Sequence, residues 1–496
     1  MNILLVYPEF PDTFWSFKHA LRFIKKKVSS QPLGLLTIAA LLPGEWNKRL
    51  VDINCKKLTQ GDLKWADYVF ISAMSIQKES ANDIIRQCNE SGTKIVAGGP
   101  LFTAEYGQFE TVDYFVLNEA EITLKDFLKD LEYGNVKRCY TTENYADIKD
   151  TPSPLWELAD FSSYASMNIQ YSRGCPFNCE FCNVTTLFGH KPRTKSAIQI
   201  VNELDSLYNA GWRKNVFFVD DNFIGNKHIL KNELLPALID WRKGKKGISF
   251  NTEVSINLAD DQELMKLMVD AGFDMVFIGI ETPDELSLAE CNKKQNMNRD
   301  LIACVKLIQR SGLQVQAGFI LGFDNDTQST FQHLIDFVQK SGIVTAMVGL
   351  LQAPTNTVLY KRLMKEGRII ENMTGDNVDG TTNIIPLMNI ETLISGYKYV
   401  INQLYSPIFF NKRVKTFFKE YKAPKGKVKP GFINYYKNIL AFLRSIYILG
   451  ILDCERNQYW KLFLWTLIRK PGMLSQSITF AIYGYHFRLT CEKHIH

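Results

Sequence analysis

Between residues 166 and 370 the sequence alternates short β-rich runs with amphipathic helical segments. Four of those segments stop on one signal, an Ala-Gly or Ser-Gly pair, at Gly211, Gly272, Gly312 and Gly342. Glycine closes a helix readily because it enters the left-handed region without a Cβ clash. The strand candidates are "MNIQYS", "NVFFVD", "ISFNTEVS", "MVFIGIE", "QVQAGFILGF" and "TAMVGLLQA". A strand–helix–glycine rhythm implies parallel βα units. Six such strands predict a partial (β/α)6 barrel rather than a closed eight-stranded one.

A second α/β unit precedes it. "NILLVYP", "KRLVDIN", "ADYVFISAM" and "KIVAGGP" are β-rich runs, and "PLGLLTIAALLP", "SANDIIRQCNESG" and "AEITLKDFLKDLEYG" are helical. This alternation predicts a doubly wound, Rossmann-like domain over 1–135, whose ligand sits at the carboxyl ends of the strands. "SAMS" (72–75) and "GGP" (98–100) fall at those ends. The polar stretch 136–165, with Pro152 and Pro154, is expected as a linker. From 371 to 496 the pattern becomes helical, aromatic and basic. Between 411 and 429, Lys412, Arg413, Lys415, Lys419, Lys422, Lys425, Lys427 and Lys429 stand against Glu420 alone.

The length of 496 residues fits this division into several domains. A hydrophobic fraction of 46% with 22% charged residues allows large buried cores and excludes a disordered chain. The N-terminus lacks a basic region and a cleavage site, so it reads as a first strand and not a signal peptide. No apolar run is long enough to span a bilayer, because Arg444 interrupts "NILAFLRSIYILGILDC". Ten cysteines in a chain of this length, seven of them scattered, do not make a secreted disulfide scaffold, and a reducing cytoplasm is the expected setting.

Three of those cysteines are not scattered. "RGCPFNCEFC" (173–182) places Cys175, Cys179 and Cys182 at C-x3-C-x2-C, directly after the first barrel strand. Barrel active sites lie on that face. Three thiolates can hold three irons of a [4Fe-4S] cluster and leave the fourth open. Zinc wants four ligands, and His190 is the nearest candidate for the fourth. A disulfide would leave an odd thiol and needs an oxidising compartment.

With Phe181 as the aromatic before the third cysteine, this motif at this position resembles the radical S-adenosylmethionine (SAM) superfamily over roughly 166–370. The resemblance implies that the open iron binds SAM, and that one electron cleaves SAM to methionine and a 5′-deoxyadenosyl radical. It implies SAM contacts at Phe181, at Asp220 and Asp221 in "VFFVDDNFIGN", at Glu253 or Ser255 in "NTEVSINL", and at Glu281 in "FIGIETP". "GFILGFDNDT" (318–327) resembles the family's glycine-containing strand near the adenine.

The Rossmann-like domain ahead of such a barrel resembles the cobalamin-binding class of these enzymes, in the subgroup that includes the hopanoid methylases. "PLGLLTIAALL", "SAM", "GGP" and "NEAE" match that class's landmarks in order. They imply cobalamin contacts at Leu33, Gly34, Ser72, Met74, Gly98, Gly99, Pro100 and Glu119, with Gly98 and Gly99 admitting a flat macrocycle close to the backbone. Asn118 stands where the class usually has glycine. No Asp-x-His-x-x-Gly motif supplies a cobalt ligand.

The leading expectation is methyl transfer to an unactivated carbon of a small-molecule or lipid substrate, with flavodoxin or ferredoxin as electron donor. No side chain is assigned as catalytic. A non-methylating radical reaction, such as ring formation or oxidation, would use the same cofactors. RNA modification is weaker, because the lysines of 411–429 lack interleaved aromatic stacking residues, and nucleic acid is not an expected partner. Peripheral membrane contact is expected from "YYKNILAFLRSIYILGIL", which is amphipathic with flanking lysines.

Overall fold

The computed structural model describes all residues except 371–372, 377, 425–431 and 496. Two six-stranded parallel sheets organise it. The first contains β1 (Asn2–Tyr7), β2 (Asn47–Asp52), β3 (Tyr68–Ser72), β4 (Lys94–Gly98), β5 (Tyr114–Val116) and β6 (Cys139–Tyr140), in the order β2-β1-β3-β4-β5-β6. This is a doubly wound order whose switch point lies between β1 and β3. Alternate residues of β1 enter two cores, Ile3 and Leu5 on one face and Leu4 and Val6 on the other. That is the period of two expected of a strand buried on both sides.

After β7 (Met167–Ile169), a small antiparallel pair, β8 (Ser172–Arg173) and β9 (Arg193–Thr194), brackets the cysteine loop. The second sheet continues through β10 (Asn215–Phe218), β11 (Ser249–Val254), β12 (Phe273–Glu281), β13 (Gln314–Leu321) and β14 (Ala346–Leu350). Its order, β14-β13-β12-β11-β10-β7, makes the partial barrel of six strands. The glycine stops act as the sequence implies, with φ of 98°, 101°, 109° and 73° at Gly211, Gly272, Gly312 and Gly342.

The stretch 136–165 is not a loose tether. It contributes β6, and it buries Ile148, Trp156 and Tyr164 to within 2% of full burial. Two strand residues are too few to give a periodic signal, so the sequence reads this segment as a linker although it packs as core. The N-terminal segment also crosses between units. Trp15 donates to Met347 Sδ at 2.9 Å and meets Phe277 edge-on at 5.5 Å, while Phe14 stacks on Phe487 at 4.1 Å. It thereby joins the barrel to the C-terminal helices.

The basic segment is corrected in one respect. Arg413 is fully buried and donates to the carbonyls of Leu404 and Val344, and burial lowers its pKa to about 10. It is a packing element and not a surface cation. Glu420 pairs with Lys306 and Arg310 of the barrel. Lys425, Lys427 and Lys429 lie outside the described residues.

Candidate active site

The cysteine loop is pinned from several directions. The Cys175 N–H donates to Gly189 O, Cys182 N–H to Cys179 O and Glu180 N–H to Cys291 O. The Glu180 carboxylate receives Arg362 at 3.0 and 3.1 Å, and Asn292 donates to Asn178 O at 2.7 Å. Cys179 is buried and the other two thiols are half-buried. Burial raises the Cys175 thiol and pushes Cys182 up to about 12. Bound cationic iron would reverse that balance, since it deprotonates coordinating thiols outright.

Among the described residues no three His, Cys, Asp or Glu side chains stand at metal-ligand spacing. The fit to a [4Fe-4S] cluster therefore rests on the donor set and on the pinned loop. His190 is exposed at the loop's far end and does not complete a zinc set.

Behind the loop stand acids with different duties. Asp220 accepts from Tyr171 N–H at 3.2 Å, from Ser172 N–H, and from Ser172 Oγ at 2.5 Å. Burial pushes its pKa up to about 7 against those hydrogen bonds. Both its oxygens are thus engaged in holding the backbone just ahead of the loop. Asp221 accepts from Gly174 N–H at 3.4 Å and is pushed up to about 6 by burial. Ser255 is also engaged: its N–H donates to Asn222 Oδ1 at 3.2 Å and its hydroxyl to Asn257 Oδ1 at 2.6 Å. Glu253 has no side-chain hydrogen bond among the described residues. Burial, then the charges of Asp221, Asp220 and Glu281, raise it to about 8.

Glu281 occupies a strained backbone position, φ 64°, at the end of β12. Lys293 holds its carboxylate at 2.6 Å. Gly279 makes this pair possible, because a Cβ there would lie 2.4 Å from Glu281 Oε1 and 2.9 Å from Lys293 Nζ. Lys293 also sits 5.8 Å over the Phe181 ring. Although burial disfavours its cation, the Glu281 carboxylate raises its pKa. The sequence reading missed Lys293, and nothing in its local pattern marks it.

The "NEAE" landmark proves to be a clamp. Arg173, next to Gly174 of the loop, donates to Glu119 at 2.9 Å and to Glu121 at 2.8 Å. Glu119 also receives Arg193 at 2.9 Å and Ala146 N–H at 2.6 Å. Although burial pulls the other way, Arg173 holds Glu121 down at about 2. With both oxygens accepting hydrogen bonds, Glu119 joins the N-terminal sheet to the cluster loop. Asn118 has φ 60°, so its position requires the left-handed conformation that asparagine tolerates in place of glycine.

The other expected cobalamin positions divide. At Gly98 a Cβ would stand 2.5 Å from Val116 O, and at Gly99 it would stand 2.6 Å from Ser72 Oγ. The Val116 carbonyl and the Ser72 side chain fill the space that these glycines leave. Pro100 opens the short helix Pro100–Glu105, whose Leu101 N–H donates to Ala73 O. Leu33 and Gly34 begin the helix Leu33–Leu41, and Gly34 is exposed with nothing within 4 Å of its Cβ position. Met74 is 44% exposed and lies on the wall of a cavity of about 2770 Å³. That cavity runs from Tyr7 and Met74 at the switch point to Glu253, Phe277 and Met347 inside the barrel. The cysteine loop is not part of its wall.

Comparison with known proteins agrees with this architecture. The radical SAM superfamily model matches residues 169–338, and the model of a domain of unknown function, DUF4070, matches 357–496. An uncharacterized methyltransferase of Synechocystis sp. is 39% identical across 98% of this chain and 91% of its own length. The hopanoid C-2 methylase of Rhodopseudomonas palustris is 34% identical across 94% and 90%. The solved structure of the cobalamin-dependent radical SAM enzyme OxsB, at 16% identity, covers 99% of this chain and 79% of its own, with a TM-score of 0.64.

The chain belongs to the radical SAM superfamily, in the subgroup that includes the hopanoid methylases. It is an enzyme of that superfamily, with a [4Fe-4S] cluster and SAM as its cofactors.

Proposed function

We propose that this protein is a cobalamin-dependent radical SAM methyltransferase that methylates an unactivated carbon of a small-molecule or lipid substrate. The observation that carries the reading is the continuous cavity from the switch point of the first sheet into the barrel bore. It gives a carrier held by one domain and a radical generated by the other a common space. The overall likeness to OxsB and the names of the hopanoid and Synechocystis relatives support methylation with cobalamin.

When bound, the cluster supplies an electron, SAM supplies the adenosyl radical and the methyl group, and cobalamin carries that methyl group. The chain's part is positioning. Cys175, Cys179 and Cys182 would hold the cluster; Asp221, Glu253 and Glu281 would offer carboxylates to the cationic end of SAM; Phe181 lies under Lys293, the partner of Glu281. Gly34 and Met74 offer an unobstructed face on the cobalamin side. Trp15, Phe277 and Met347 give the bore apolar walls that exclude water and suit a nonpolar carbon skeleton. An electron donor such as flavodoxin or ferredoxin completes the cycle.

The test is oxygen-free reconstitution with iron, sulfide and methylcobalamin, followed by SAM and a reductant. Wild type should form 5′-deoxyadenosine and S-adenosylhomocysteine, and Cys175→Ala, Cys179→Ala and Cys182→Ala should form no 5′-deoxyadenosine. Deoxyadenosine without S-adenosylhomocysteine, in the presence of a turned-over substrate, would replace methylation by ring formation or oxidation.

A further inference from the structure

We propose that the helical hairpin 432–469 docks the protein on an anionic lipid bilayer. Its first arm is the helix Phe432–Ser445 continued by the π-helical turn Ile446–Leu452. Tyr436, Ile439, Leu443, Tyr447 and Ile451 recur along it every three or four residues. Each is exposed, from 39% at Ile439 to 59% at Tyr436. That spacing draws one apolar stripe along a helix, and the wider π turn keeps residues four apart in line.

The second arm, Arg456–Arg469, exposes Leu464, Leu467 and Ile468, the last at 75%. Phe442 stacks on Phe463 at 6.1 Å and Trp460 donates to Gly450 O at 2.9 Å, so the arms form one packed unit. Their inner faces are already satisfied by buried Leu449, Tyr459 and Leu462. The outer apolar residues are therefore surplus to folding, and contiguous exposed apolar surface marks a contact site.

Charge selects the occupant. Residues 407–470 carry 14 Lys and Arg, of which Arg413 is buried, against 3 Asp and Glu, a sequence balance of +11 within a chain of net +6. The rest of the chain is therefore net acidic, and the basic character belongs to this region. Arg456, Lys461 and Arg469 are exposed on the second arm itself. An apolar stripe rimmed by cations is the pattern of a helix lying in the interface of an anionic membrane. RNA would satisfy the cations and leave Leu443, Tyr447 and Ile451 without a partner.

The surface also communicates with the bore. Tyr436, Ile439 and Phe442 of the first arm line the cavity that contains Glu253 and Phe277. A docked protein would turn one mouth of that cavity toward the lipid. This link rests on the lipid reading above, whereas the docking itself rests on exposure and charge.

The experiment is flotation of the reconstituted full-length protein with vesicles of phosphatidylcholine, alone or mixed with phosphatidylglycerol, at low and high salt. The wild type should float with the anionic vesicles at low salt and release at high salt. Leu443→Glu/Tyr447→Glu/Ile451→Glu should lose about tenfold or more of the bound fraction. Lys461→Glu/Arg469→Glu should lose the salt-sensitive part. Both should still form 5′-deoxyadenosine in solution, which reports an intact fold. Three results would each overturn the proposal: a wild type that stays in the soluble fraction, apolar variants that float undiminished, or a stripe that instead holds two copies together in light scattering. Flotation without deoxyadenosine in any variant or wild type would leave the docking surface standing and remove the catalytic reading.

Discussion

The chain contains two six-stranded parallel sheets, yet their carboxyl ends are built on opposite principles. The end of the first sheet is made by shape. Gly98 lets the Val116 carbonyl close up, Gly99 lets the Ser72 side chain do so, Gly34 leaves an open face, and Met74 presents an apolar side chain. The end of the barrel sheet is made by charge. Asp220, Asp221 and Glu253 are pushed up to about 7, 6 and 8 by burial, and Glu281 is held by Lys293. A large neutral ring system asks for shape, and a small cationic cosubstrate asks for carboxylates. The two ends are coupled through two cations that flank the cluster loop: Arg173 pairs with the first unit's Glu119 and Glu121, and Arg193 with Glu119.

Breaking that coupling should have the largest effect. Arg173→Ala leaves Glu121 without its cation and Glu119 with Arg193 alone, their side chains only 6% and 2% exposed. Removing one partner of a buried ion pair costs about 3–5 kcal/mol. Thermal melting should fall accordingly, and the reduced cluster's electron paramagnetic resonance signal should broaden or vanish. Arg173→Lys should restore part of both, since it returns the charge without the fork.

The charge-built end should announce itself in pH dependence. Glu253 has a folded pKa near 8 against 4.5 as the ordinary value. The folded state therefore binds the extra proton between those limits, and stability falls as pH rises through that window. Glu253→Gln removes the term. Its melting temperature should exceed that of the wild type at pH 8, the gap corresponding to about 2–4 kcal/mol, and should match it only below the ordinary value of 4.5. SAM binding should release a proton in wild type and not in the variant, as calorimetry in buffers of different ionisation enthalpy would read.

The same division explains what could be read from the sequence. Strand–helix alternation and glycine stops report backbone geometry, so the six-stranded barrel and four of the first sheet's six strands were legible, while the short β5 and β6 were not. The cysteine loop was legible because its ligands are adjacent in the chain. Asp220 and Asp221 could not be told apart, because adjacent residues at a strand end point in different directions and only the fold assigns one inward to Ser172. Lys293 meets Glu281 across 12 residues and a turn. Arg173 meets Glu119 across 54. Such pairs are set by tertiary packing and leave no local pattern.

The shape-built end gives the smallest and most discriminating effects. Gly98→Ala would put a Cβ 2.5 Å from Val116 O, and a backbone carbonyl between paired strands cannot withdraw. The cost should be about 1–3 kcal/mol, with a lower melting temperature whether or not cobalamin is present. Gly34→Ala meets nothing within 4 Å and sits in a helix, where alanine is preferred by about 1 kcal/mol. It should melt at or above the wild-type temperature. Gly34→Trp should also fold, yet retain less cobalamin after gel filtration, read from the corrin absorbance. Full retention in Gly34→Trp would move the macrocycle off this face and leave Met74 and the cavity wall as its seat.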